Sequence, residues 1–178
     1  MDKALIVINE LKEQKLIKDY AIGGGLAFLF YMEPFVTYDL DIMINLENDD
    51  EHLISLTPIY EYLRNKGYNA EAEYVKIENI PVQFIPAYND LVKEAIENSI
   101  ANNYEGVPIK VLSKEYLTAI MIQTYRPKDR ERLVKIFNMA DLDFTKLMPI
   151  LQKFGLMDKY NEFYEKYIRE IGVIRGRS

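Results

Sequence analysis

The chain has 178 residues, 49% of them hydrophobic and 28% charged, which suits one domain, or one domain with a helical extension, and argues against wholesale disorder. Lys and Arg number 22 against 28 Asp and Glu, and the net charge of −6 gives no global pull toward nucleic acid or anionic lipid. The absence of cysteine excludes disulfides and thiolate metal sites, and the lone His52 excludes multi-histidine zinc sites and argues against a Ser-His-Asp triad.

Residues 3–16 place Leu5, Ile6, Ile8, Leu11 and Leu16 at helical spacing, with charges spread among them, so the N-terminus reads as an amphipathic helix rather than a secretory leader. No stretch approaches the ~18 apolar residues of a membrane span, and the expectation is a cytoplasmic protein without a membrane partner. A short strand is expected at Asp19–Ile22. Gly23-Gly24-Gly25 interrupts it, and the apolar run LAFLFYM that follows predicts a buried helix ending at Pro34. Thr37–Asn45 alternates: Leu40, Ile42 and Ile44 point one way, and Asp39, Asp41 and Met43 the other. That is a strand with one buried face and one face opening onto something polar.

A helix is expected over 51–66, ended by Gly67. Glu71–Ile77 and Ile80–Ile85 read as a hairpin turning at Glu78-Asn79, with Pro86 as its stop. Residues 88–98 read as a helix and Val107–Leu112 as a strand after Gly106. Beyond it the pattern becomes wholly helical. Ser113 is an N-cap for EYLTAIMIQTY, Pro127 opens a helix over 127–140, and two more helices follow near 143–154 and 158–171. The predicted architecture is an α/β (α+β) mixed-sheet core over residues 1–112, then a C-terminal helical bundle over 113–178.

The chemistry-bearing unit is Tyr20-Ala-Ile-Gly-Gly-Gly-Leu-Ala followed by Thr37-Tyr-Asp-Leu-Asp-Ile-Met-Ile. A Gly-Gly turn opening a helix brings backbone N–H groups close to phosphates. Asp39 and Asp41, two apart on a strand, leave the same face and can share divalent cations together with substrate phosphates and water. Each half also has a plain reading: a tight turn for the glycines, a solvated strand edge for the D-x-D pair. Their joint spacing and secondary structure favour the site, and Asp41 lies in an apolar run where an unpartnered carboxylate is costly.

This pattern resembles the DNA polymerase beta-type nucleotidyltransferase superfamily, and more narrowly the minimal nucleotidyltransferases grouped with abortive-infection toxins, the AbiEii-like branch. The matching stretches are Ile22–Ala27, Phe35–Asp41, Ile80–Ile85 and Val111–Phe137, spread across residues 18–138. The resemblance implies a nucleotidyltransferase-like core that moves a nucleotide from an NTP to a hydroxyl, on RNA (tRNA among them), protein or a small molecule, with Mg²⁺ or Mn²⁺. It implies metal binding by Asp39, Asp41 and, where the family carries a third carboxylate, Gln83. It implies nucleotide contacts from Gly23, Gly24 and Thr37, and a catalytic cation at Lys128 of Lys128-Asp129. The chain departs from the pattern at Phe35, where an arginine is expected, at Gln83, and at Met121, where the family often has lysine. Those departures sustain a second expectation: a catalytically degenerate binding module of the same fold, with a toxin–antitoxin type of role.

Other features divide between bland and sharp readings. His52 and the acidic run Glu47–Glu51 read as a helix start and a solvated turn. Lys128-Asp129 also reads as a charged helix start. Arg126, Lys128, Arg130 and Arg132, beside Tyr125, read either as a solvated helix face or as a grip on an RNA backbone. Arg169, Arg175 and Arg177 pose the same alternative at the C-terminus.

Overall fold

In the computed structural model, which describes residues 1–31, 39–46, 55–139 and 141–169, the alternation of the central strand decides where the core lies. Leu40, Ile42 and Ile44 are fully buried, whereas Asp41 between them is half-buried. Each buried aliphatic side chain of this size stabilises by about 1.5–3 kcal/mol, so a one-residue slip that turned this face outward is strongly disfavoured.

The chain divides into two compact units, Met1–Ser113 and Lys114–Ser178. In the first, α1 (Asp2–Glu13), β1 (Asp19–Ile22), α2 (Gly24–Phe28), β2 (Leu40–Asn45), α3 (Thr57–Asn65), β3 (Ala70–Glu71), β4 (Tyr74–Ile77), β5 (Ile80–Pro86), α4 (Asp90–Glu97), β6 (Ile100–Tyr104) and β7 (Val107–Val111) follow one another. The strands form a mixed sheet in the order β3-β4-β5-β2-β1-β7-β6. β1 runs antiparallel to β2, whereas β2 pairs parallel with β5 and β1 parallel with β7. Register places Tyr20 opposite Ile44, Ile22 opposite Ile42, Ile42 opposite Phe84, and Leu40 and Val75 opposite Val82. These side chains therefore share one buried face, and α4 packs against β1 and β2.

Local sequence sets the turns. Glu78 and Asn79 (φ 50° and 66°) close the β4–β5 hairpin, and Glu105-Gly106 (φ 49° and 88°) closes β6–β7. Two consecutive left-handed residues match the twist of a two-residue hairpin. Asn89 caps α4 by accepting a hydrogen bond from the Val92 N–H at 2.9 Å.

Several expectations are corrected. α1 buries Ala4, Leu5, Val7, Ile8 and Leu11, but Ile6 stays 46% exposed. The helix after the glycines is not one run to Pro34: it ends at Phe28, and the N–H groups of Leu29, Phe30 and Tyr31 bond three residues back, a tighter turn. The helix expected over 51–66 is present as Thr57–Asn65, with Pro58 in its first turn; residues 51–54 lie outside the described residues. β6 was not expected at all. It is an edge strand exposed along almost its whole length, so it carries no alternating pattern.

The second unit is a helical bundle: α5 (Lys114–Thr124), α6 (Pro127–Met139), α7 (Phe144–Lys153), α8 (Met157–Phe163) and a π-helical turn, Tyr164–Arg169, that continues α8, so the helix expected over 158–171 is present to Arg169, and residues 170 and 171 lie outside the described residues. α5 is buried from Glu115 to Ile122 and packs on α6 and α7. Phe137 gathers Phe144, Tyr160, Phe163 and Tyr164 around its ring at centroid distances of 5.5–6.4 Å. No helix among the described residues is long and apolar enough to cross a membrane.

Asp129 organises the α5–α6 corner. Its carboxylate is fully buried and accepts hydrogen bonds from the Thr124 hydroxyl at 2.7 Å, the Arg126 N–H at 3.1 Å and the Arg126 guanidinium at 2.8 and 3.2 Å. Burial pushes its acidity down, raising the pKa, but the bonds and charge from Arg126 and Thr124 outweigh that and hold it below the ordinary 3.8. A carboxyl depressed in the folded state stabilises above its unfolded pKa, and that contribution is lost as pH falls through the folded value. Asp129→Asn should therefore lower the urea midpoint at pH 7, and the difference from the parent chain should shrink as pH is taken below about 4. Unfolding curves at both pH values check it.

Candidate functional site

β2 carries the two carboxylates, and its neighbours on each side determine what faces them. On one side, the Gly23 N–H donates to the Asp41 carbonyl at 2.9 Å, so the glycine turn is hydrogen-bonded directly to the D-x-D strand. A Cβ on Gly23 would lie 3.1 Å from Met43 Cε, and Met43 is buried beneath it. Gly24 has φ +56°, a left-handed conformation that glycine adopts without strain. A Cβ on Gly24 would lie 2.6 Å from Asp41 Cγ and closer still to its Oδ2. The Asp41 carboxylate thus packs against bare backbone, where no side chain fits.

On the other side, the parallel pairing of β2 with β5 puts Gln83 directly opposite Asp41. Neighbouring residues in register project from the same face, so the amide of Gln83 and the carboxylate of Asp41 emerge side by side. Next along the sheet, Lys76 pairs with Pro81, two residues before Gln83. Tyr74, two residues before Lys76, starts β4 on the same face. Burial raises the Tyr74 phenol above its ordinary 10.0, and the negative charges of Asp39, Asp41 and Glu73 raise it further. Asp39, two residues before Asp41, is near enough to Tyr74 for its charge to act on the phenol.

The structure thus brings Gly23, Gly24, Asp41 and Gln83 together and sets Asp39 on the same side. Thr37 and Phe35 lie outside the described residues, as do His52, the run Glu47–Glu51, Arg175 and Arg177. Lys128 belongs to the second unit and is exposed on α6; its neighbour Asp129 takes its cation from Arg126. Met121 is buried on α5. Tyr74 was missed by sequence reasoning, and so was the role of Met43 under the turn. Both depend on strand register, which no local pattern discloses.

Two carboxylate groups and an amide oxygen form an oxygen-only donor set. Among the described residues no group of three or more His, Cys, Asp or Glu side chains is placed to hold a metal. A donor set of this kind suits a hard divalent cation whose remaining positions are filled by phosphate oxygens and water, rather than one enclosed by protein alone.

Because Asp41 rests on Gly24, Gly24→Ala should displace the carboxylate as well as strain the backbone. Gly106, at φ +88° with open space where its Cβ would be, carries only the strain. Gly24→Ala is expected to destabilise by at least about 1 kcal/mol more than Gly106→Ala in urea unfolding.

No family model matches the sequence, and no curated protein matches it. Solved structures do match. An antigenic nucleotidyltransferase-like protein from Paracoccidioides brasiliensis aligns with 92% of this chain and 86% of its own, at a TM-score of 0.64 and 15% identity. The antibiotic-resistance factor ANT(2'')-Ia aligns over 99% of this chain and 95% of its own, with a TM-score of 0.45 and 13% identity. A putative nucleotidyltransferase from Thermotoga maritima aligns over 75% of this chain and 92% of its own, with a TM-score of 0.41 and 19% identity. The first of these likenesses establishes a nucleotidyltransferase-like fold, and at these identities it establishes the fold alone.

Proposed function

We propose that the chain is a metal-dependent nucleotidyltransferase, which moves a nucleotide from an NTP to a hydroxyl of RNA, protein or a small molecule. The observation that carries this reading is the Asp41 carboxylate seated against Gly24, with Gln83 in register beside it. In this reading the backbone of Gly23 and Gly24 meets the phosphates, as a glycine turn without side chains can. Thr37 adds a hydroxyl to the nucleotide. Asp39 and Asp41, with the oxygen of Gln83, hold Mg²⁺ or Mn²⁺. Those ions supply charge neutralisation on the phosphates and lower the pKa of the acceptor hydroxyl. The acceptor oxygen forms a bond to the α-phosphorus, the bond from that phosphorus to the bridging oxygen breaks, pyrophosphate leaves, and the hydroxyl proton passes to solvent. Gln83 cannot take that proton, because an amide is not a base at neutral pH. The closer likeness to the AbiEii-like branch belongs to this reading, resting on Ile22–Ala27 and the Asp39-x-Asp41 pair.

The reading is tested by incubating the protein with α-labelled NTPs, Mg²⁺ or Mn²⁺, and total RNA. Label should pass to an acceptor, and Asp41→Asn should reduce transfer by about a hundredfold or more. Equal transfer by the variant would remove Asp41 from the chemistry.

The amide opposite Asp41 also favours a second reading: a degenerate module that binds nucleotide without turnover, with a toxin–antitoxin type of role. There, restoring a carboxylate should strengthen metal binding. Gln83→Asp is expected to raise Mn²⁺ affinity about tenfold by calorimetry, since it adds one full charge to the donor set. Unchanged affinity would place residue 83 outside the site.

A further inference from the structure

The sheet register sets four positions in one line across the face that carries the carboxylates. Ile22 pairs with Ile42, and the next residue, Gly23, is hydrogen-bonded to Asp41. Asp41 pairs with Gln83. Val75 pairs with Val82, so the residues beside that pair, Tyr74 and Gln83, face each other. The line therefore reads Gly23, Asp41, Gln83, Tyr74, with neighbouring strands about 4.8 Å apart. The side chains of Asp41, Gln83 and Tyr74 are half-buried, whereas Ile42, Val75, Val82 and Phe84 are buried on the opposite face.

Tyr74 brings a hydroxyl to that line. Among the described residues it makes no hydrogen bond. A tyrosine side chain is longer than one strand spacing, so the phenol can reach across the amide of Gln83 toward Asp41. Burial, then the charges of Asp39, Asp41 and Glu73, raise its pKa above 10.0, so it stands there as the neutral phenol.

Phosphoryl transfer needs the attacking and leaving oxygens in line through phosphorus. Under the proposed function, on which this inference rests, the glycine turn takes the leaving phosphates on one side of Asp41. The attacking oxygen then arrives from the other side, over Gln83, where Tyr74 stands. We propose that the site nucleotidylates its own Tyr74, and that the tethered nucleotide then occupies the site and blocks it. The Tyr74 Oη bonds to the α-phosphorus of an NTP, the bond from that phosphorus to the bridging oxygen breaks, pyrophosphate leaves, and the phenolic proton passes to solvent. Donor and hydroxyl are held on one sheet, so the step is unimolecular and competes well with hydroxyls in solution.

The test is the intact mass of the full chain after incubation with Mn²⁺ and each NTP in turn, without added acceptor, followed by peptide mapping. One nucleotidyl group per chain is expected, on the peptide that holds Tyr74, at a first-order rate independent of protein concentration. Tyr74→Phe should lose the added mass, and Asp41→Asn should gain it about a hundredfold more slowly. Tyr68→Phe, on a tyrosine whose hydroxyl donates to Glu78 instead, should be modified as the parent is. The modified chain, freed of nucleotide, should bind fresh NTP at least about tenfold more weakly by calorimetry than the untreated chain. A parallel incubation with α-labelled NTP and total RNA separates the two readings. Label on RNA with the chain unmodified would overturn this inference and leave the transferase standing, whereas label on neither would overturn both. Modification that persists in Tyr74→Phe would also overturn it, and unchanged NTP affinity after modification would remove the block.

Discussion

The first unit depends on a close approach between a carboxylate and a backbone. Asp41 sits on Gly24, and the Gly23 N–H is hydrogen-bonded to the Asp41 carbonyl, so the glycine turn and the central strand are fixed to each other at two adjacent points. That contact accounts for two features that look independent in the chain. Gly24 must be glycine both for its positive φ and for the missing Cβ. The carboxylate, in turn, stays at the sheet surface because the opposite face of β2, with Leu40, Ile42 and Ile44, is locked into the core. The buried face anchors the register, and the register delivers the polar face.

The mixed sheet then sets what stands beside the carboxylates. Because β2 runs parallel to β5, residue 83 arrives directly opposite Asp41; an antiparallel partner at another offset would have delivered a different side chain. The occupant is an amide, which keeps an oxygen for coordination but supplies neither charge nor basicity. Under the proposed function, this position is what would separate an active transferase from a binding module of the same fold. The likeness to a nucleotidyltransferase-like structure does not choose between them, because a fold persists through changes that alter a site.

The second unit follows different physics. Its corner is built on one buried carboxylate, Asp129, whose four hydrogen bonds to Thr124 and Arg126 offset the cost of its burial. Aromatic rings gather around the half-buried Phe137. Most of its buried side chains are nevertheless aliphatic, and two of its cations, Arg130 and Lys166, lie over tyrosine rings.

The sequence by itself determined most element types of the first unit and which of its side chains share a face. Alternation separates Leu40, Ile42 and Ile44 from Asp39 and Asp41, glycine marks the turn, and helical periodicity marks the C-terminal bundle, because each of these signals is local. It could not disclose β6, an edge strand exposed along almost its whole length and therefore unpatterned, nor the early end of α2 at Phe28, where hydrogen bonding tightens within an unbroken apolar run. Only the tertiary structure decided that Gly24 touches Asp41, that Gln83 stands opposite it, that Tyr74 joins them, and that Arg126 rather than Lys128 pairs with Asp129. The physical reason is that register, close approach and ion pairing are set by the packing of elements distant along the chain, whereas periodicity is written within each one.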